Sequence, residues 1–122
     1  MKMPPHSTEY LMRKELTADS VPDRYLFVRT GKNRIRIFSK GRQIGSFRLL
    51  PYSDQRTVYF YDYRIRKSLR GHGLGKDCFR YILCFLVRSG FRFVKLQVSS
   101  SNPAAFAIYS GYGFEIIESV IL

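Results

Sequence analysis

Between Thr57 and Leu86 the chain changes its period, and it does so across almost bare backbone. Thr57–Ile65 (TVYFYDYRI) is β-branched and aromatic, the composition of a strand. From Leu74 onward the apolar residues recur at spacings of three and four: Leu74, Cys78, Tyr81, Ile82, Phe85 and Leu86 form one wide helical stripe. Asp77 suits the first turn of that helix, Arg88 its last, and Gly90 its stop. Between strand and helix stands RKSLRGHGLGK, residues 66 to 76, with Gly71, Gly73 and Gly75 on alternate positions. A strand over FVKLQV, a short helix from about Asn102 to Ser110 and a strand over FEIIESVIL complete the pattern. Strand, loop, helix, strand predicts a β-α-β unit with parallel strands and a right-handed crossover.

The glycine loop constrains function as well as fold. Glycines present backbone N–H groups without a Cβ in the way, a helix N-terminus adds partial positive charge, and Lys76 adds a full one. A pyrophosphate is a natural guest, the alternative being a glycine turn with no ligand. Two familiar loops do not fit. Gly71 to Gly75 is one residue short of a P-loop, with Asp77 where a magnesium-binding hydroxyl belongs. Lys76 occupies the third glycine of a dinucleotide fingerprint. The motif that remains is Arg70-x-x-Gly73-x-Gly75.

Upstream, RYLFVR, RIRIF and QIGSFRLL read as strands separated by turn residues (Thr30 to Asn33, Lys40-Gly41, Pro51 to Asp54). Residues 1–22 read as a loose arm with one helical possibility around Glu9 to Leu16, and 23–122 as a single domain. Tyr59, Tyr61 and Tyr63 are expected on one face of their strand, lining an acceptor groove or packed against a helix.

Charge is concentrated. Of 21 basic residues, 18 fall between Arg24 and Lys95 against only Asp54, Asp62 and Asp77, a field that attracts polyanions. Cys78 and Cys84 lie six apart on one expected helix, too differently directed for a disulfide, and without histidine company they make no metal site. Buried thiols in a reducing cytoplasm are the expectation. No apolar run reaches membrane-spanning length, since Arg80 and Arg88 bracket the longest, and the N-terminus has no secretory character.

The second half carries a resemblance. LQVSSSNPAAFAIYSGYGF, Leu96 to Phe114, together with Arg70-x-x-Gly73-x-Gly75, resembles the GNAT superfamily of acetyl-CoA-dependent N-acetyltransferases. It implies a mixed α+β fold, α/β in class: a central mixed sheet built on the β-α-β cofactor unit and shortened at both ends. It implies acetyl-CoA as co-substrate, no metal and direct attack by an amine. By the same resemblance Tyr63, Arg64 and Ile65 contact the acyl and pantetheine portion. Arg70, Gly71, His72, Gly73, Leu74, Gly75 and Lys76 form the pyrophosphate loop, in which His72 is either a further donor or a solvent-facing residue. Asn102 contacts the pantetheine arm or serves as a helix N-cap. Tyr109 matches the general acid that protonates the departing thiolate, its alternative role being a core aromatic.

Three departures bear on the acceptor. Gln97 stands where many members carry a catalytic glutamate, so Asp62, Glu115 or Glu118 are the other candidate bases. The segment before RIRIF is short for the strand and helix pair that shapes an acceptor site. The strand expected to pair beside FEIIESVIL is missing after Leu122, so either the N-terminal part covers that edge or two chains pair there as a homodimer, the expectation leaning to the dimer. Without a carboxylate base, an α-amino group is the easier acceptor. It is neutral in roughly 15–20% of molecules at pH 7, a lysine in roughly 0.04%. With the basic body, this points to an acceptor on a polyanion: an aminoacyl-tRNA or a ribosome-associated protein N-terminus. The competing expectation is a non-catalytic module that binds CoA or nucleic acid.

Overall fold

The computed structural model describes residues 7–18 and 23–121. Seven strands form one mixed sheet: β1 (Thr8–Glu15), β2 (Leu26–Thr30), β3 (Arg34–Ser39), β4 (Arg42–Pro51), β5 (Thr57–Ile65), β6 (Phe93–Ser99) and β7 (Glu115–Ile121). Helix α1 (Leu74–Arg88) joins β5 to β6, and α2 (Pro103–Gly111) joins β6 to β7. Strands β2 to β5 form an antiparallel meander, because each is linked by a turn too short for a crossover. Helix α1 makes β5 and β6 parallel, as the sequence pattern predicts.

The N-terminal segment departs from expectation. Thr8–Glu15 is neither loose nor helical but a strand inside the sheet, giving the order β2-β3-β4-β5-β6-β1-β7. It pairs antiparallel with β6 from Glu9↔Ser99 to Glu15↔Phe93, and antiparallel with β7 on its other edge. The reason lies in its alternation: Tyr10 and Met12 face the core, Glu9, Leu11 and Arg13 the other side. Met12 is 1% exposed, and the Tyr10 ring lies 5.4 Å from that of Phe106. The neighbour expected for β7 is thus supplied from the N-terminal side of the same chain. The rest of the expected arm, residues 1–6 and 19–22, lies outside the described residues. The far edge of β7 is the end of the sheet, and Ile116, Ile117, Val120 and Ile121 on it are exposed.

Both helices pack on one face. Phe79 of α1, fully buried, meets Phe60 of β5 and Phe114 edge-on or tilted, and Tyr109 of α2 meets Phe79 at 5.2 Å. Ile35, Ile37, Phe47, Leu49, Val58, Val94, Leu96 and Ile82 complete this core. Among the described residues no helix covers the opposite face of the sheet.

If β1 belongs to the folding unit, Met12→Ala opens a cavity between sheet and helices, and should cost about 2–5 kcal/mol in urea-induced unfolding. A loss below about 0.5 kcal/mol would mean that the segment is dispensable.

Candidate active site

The parallel strands β5 and β6 pair over only three positions, Thr57↔Phe93, Val58↔Val94 and Tyr59↔Lys95, and then part. Asp62 marks the cause. Its φ of +55° is left-handed, a conformation aspartate tolerates better than most residues, and the β4–β5 register shifts there between Ser46 and Arg48. This bulge bends β5 away from β6. It also breaks the alternation, so Tyr63 does not share a face with Tyr59 and Tyr61 as the sequence suggests. Tyr59 and Tyr61 stack on each other at 5.6 Å on the open face, whereas Tyr63 turns to the helix face and meets Phe60 and Phe79.

There Tyr63 has a specific task. Its hydroxyl donates to the Gly75 carbonyl at 2.8 Å, and from the other side the Tyr112 hydroxyl donates to the Lys76 carbonyl at 2.7 Å. The first turn of α1 is held between two phenols. Arg70 secures the other end of the loop, its Nε donating to the Ile65 carbonyl at 2.8 Å. Gly71 and Gly73 adopt φ of +87° and +75°, with Gly73 the N-cap of α1. A Cβ on either would meet nothing within 4 Å, so the glycines answer to backbone angle and to open space. Among the described residues the amides of Gly71 to Lys76 have no hydrogen-bond acceptor. Donors converging at a helix N-terminus form an anion cradle. Asp77, a nearby carboxylate, is engaged by Tyr25 Oη at 2.7 Å and Arg24 at 3.3 Å. Beside the loop an open cavity of about 400 Å³ is lined by Arg24, Lys40, Arg42 and Arg66 together with Leu74. A larger cavity, about 620 Å³, lies between β2 and the end of α1.

Tyr109 lies between Phe79 and Phe114, and burial pushes its phenol up to about 12. Among the described residues its hydroxyl has no hydrogen-bond partner. Cys78 shares Tyr63 as a neighbour, and burial raises its thiol to about 12 as well. Burial thus disfavours both a thiolate and a phenolate in this surrounding. Asn102 caps α2, its Oδ1 accepting from the Ala105 amide at 3.2 Å, which is the N-cap alternative of the sequence reading.

Gln97 is exposed on the helix-free face of β6, opposite Leu11 of β1. The structure therefore brings Tyr63, Ile65, the loop and Tyr109 together around the start of α1, and sets Gln97 across the sheet from them. Arg64 points away with Gln97, and its Nε pairs with Asp62 at 2.8 Å. Asp62 also lies 3.2 Å from Arg48, so this candidate base is tied up, and Glu118 sits two strands from Gln97 in the row Gln97–Leu11–Glu118. A further candidate carboxylate, not singled out from the sequence, is Glu9. It lies opposite Ser99 of β6 on the open face, and its charge adds to the burial that raises the Tyr59 phenol. Its signal was the alternation of Tyr10 and Met12 with charged neighbours.

Residues 3–114 match the acetyltransferase (GNAT) family. The chain belongs to that family. GNAT structures of known fold agree with it. A GNAT-family protein from Novosphingobium aromaticivorans superposes with a TM-score of 0.72 at 12% identity, over 96% of this chain and 63% of that one. A GCN5-related N-acetyltransferase from Sphaerobacter thermophilus gives 0.68 at 12% identity, over 97% and 51%. The ribosomal-protein-S18-alanine N-acetyltransferase of Escherichia coli gives 0.57 at 21% identity, over 78% and 56%. The chain thus spans between half and two thirds of the length of these structures. No curated protein is significantly similar in sequence. GNAT proteins use acetyl-CoA. Among the described residues no cluster of metal-ligating side chains exists, and no helix is long and apolar enough to cross a membrane.

Raised phenol and thiol values make stability depend on pH in one direction. The neutral forms are the ones the fold favours, so their contribution is complete below the unfolded values, about 8.5 for Cys and 10 for Tyr. It is lost as pH rises toward 12. Unfolding free energy should fall between about pH 9 and 12, and Tyr109→Phe should remove on the order of 2–3 kcal/mol of that fall. Urea titrations at pH 8, 10 and 11.5 check this, and equal slopes in both proteins would contradict it.

Proposed function

We propose that the protein transfers the acetyl group of acetyl-CoA to an α-amino group, and that the amides of Gly71 to Lys76 carry the binding by receiving the pyrophosphate. The observation behind this is the run of unpaired donors at the start of α1, placed at the carboxyl ends of two parting parallel strands. Bound there, acetyl-CoA supplies a thioester carbonyl as the electrophile. The unpaired edge of β5 at Tyr63 to Ile65 aligns the pantetheine, Asn102 contacts its arm from the start of α2, and Arg24, Lys40, Arg42 and Arg66 offer charge to the nucleotide end.

Tyr109 gives its phenolic proton to the departing thiolate. Burial keeps this phenol protonated, so its proton is available for transfer. The amine approaches from the helix-free face, because Phe79, Tyr63 and Tyr109 fill the other side. On that face Gln97 orients a water and Glu9 accepts the ammonium proton. With so modest a base, an amine that is already partly neutral is favoured, hence an α-amino group. The basic body supports an acceptor on a polyanionic carrier, either an aminoacyl-tRNA or a protein N-terminus presented on the ribosome.

Gly75→Val places its Cβ 3.6 Å from Ile65 Cγ1, an ordinary contact, at a normal φ. It should fold and bind CoA at least tenfold more weakly, about 1.4 kcal/mol by calorimetry. Tyr109→Phe should keep CoA affinity and lose about 10²–10⁴ in thiol release with a peptide bearing a free N-terminus. Unchanged CoA affinity in the first variant, or unchanged turnover in the second, overturns the reading.

The exposed apolar strand β7, terminal in the sheet, supports a homodimer formed along its outer edge. Sedimentation should show a dimer that Ile117→Lys/Ile121→Lys dissociates. A monomer at all concentrations contradicts it.

A further inference from the structure

The helix-free face carries an ordered block of arginines. Ile35 and Ile37 are buried in the core, so Arg34 and Arg36 project to the open side, and Arg48 does so between buried Phe47 and Leu49. The register aligns them in rows across the strands. Thr30, Arg34, Arg48 and Tyr61 form one row, and Val28, Arg36, Ser46 and Arg64 the next. Arg34 stands directly opposite Arg48, a like-charge pairing that weakens a sheet. Among the described residues Arg34 and Arg36 have no acidic partner. Arg48 Nε lies 3.2 Å from Asp62 Oδ2, near enough for an ion pair but not aligned as a hydrogen bond.

Three buried side-chain polar atoms among the described residues lack a hydrogen-bond partner, Thr30 Oγ1, Arg36 Nε and Arg48 Nε, and all three belong to this block. Their residues line one shallow cavity of about 380 Å³ with Arg34 and Lys32. Buried donors without acceptors are costly, and repelling guanidiniums add to the cost. A multiply charged oxyanion relieves both at once, and guanidinium forks match phosphate oxygens in shape.

We propose that this block, separate from the glycine loop, is a phosphodiester-binding surface for single-stranded RNA. Thr30, Arg34, Arg36 and Arg48 take a backbone phosphate, and the Tyr59–Tyr61 pair borders the path of the bases. Position supports RNA over a free phosphate. Arg48 lies one strand, about 4.8 Å, from β5. The far edge of β5 is one wall of the cleft, so a chain held here leads to the face from which the amine approaches. Arg64 in the adjoining row shares Asp62 with Arg48, which leaves one net positive charge between them to continue the track beyond a single anion. The proposal deepens the acceptor reading above and rests on it for the purpose of the RNA, while its test measures binding without acetyl-CoA and so fails or succeeds separately from thiol release.

The experiment is fluorescence anisotropy of a labelled 20-nucleotide single-stranded RNA across a salt series. Arg34→Gln/Arg36→Gln is compared with Lys14→Gln/Arg88→Gln, which removes equal charge from the helix side. The first should bind at least about tenfold more weakly and reduce the salt slope by about 1.4, at roughly 0.7 per lost phosphate contact. Its melting temperature should not fall, because repulsion has been removed. The single Arg36→Gln, with about half the slope change, serves the comparison if the double variant unfolds. Inorganic phosphate should raise the melting temperature of wild type and not of Arg34→Gln/Arg36→Gln. Wild-type affinity and slope in that variant, or an equal loss in the helix-side control, would overturn the proposal. Displacement of the RNA by poly-glutamate as readily as by unlabelled RNA would replace RNA with an acidic protein and overturn it too.

Discussion

The parting of β5 from β6 is the constraint on which the rest depends. Two parallel strands that pair at three positions and then diverge leave backbone edges unpaired inside a folded domain. The bulge at Asp62 bends one strand, and the Tyr63 hydroxyl, turned inward by the same bulge, ties its end to the first turn of α1. Were β5 regular, Tyr63 would face outward with Tyr59 and Tyr61, and the start of α1 would lose its anchor to the strand. The cleft and the presentation of the loop amides thus share one cause.

Much of this was legible in the sequence where the signal is local. The change of period around the glycine loop placed β5, α1 and β6, and the glycines there leave open space beside the backbone, with Gly71 and Gly73 at positive φ. What stayed hidden was non-local. The alternation in TEYLMRKE is short and charged, and its burial comes only from packing between β6 and β7, two strands far off in the chain. The bulge had a faint sign in Asp62, a poor strand former within an aromatic run. Counting by twos across it put Tyr63 on the wrong face. Glu9 was missed for the first of these reasons, and the inward role of Tyr63 for the second.

The two faces of the sheet differ in character. The helix face is dry and aromatic, with Phe60, Phe79, Tyr109 and Phe114 in mutual contact, and it sets the protonation of the phenol and thiol near the cleft. The open face is charged and accessible, and it holds Gln97, Glu9 and the arginine rows. In the proposed reaction, cofactor chemistry on one side and acceptor recognition on the other meet where the strands part.

The most direct test of this account is to follow backbone amide resonances in ¹⁵N-labelled protein as CoA is added. The account places the pyrophosphate on the loop, so the amides of Gly71 to Lys76 should shift most, with those of Tyr63 to Ile65 next and β2 to β3 nearly still. Saturating CoA that left the loop amides unmoved, with the shifts gathered instead around Arg34 and Arg36, would contradict it.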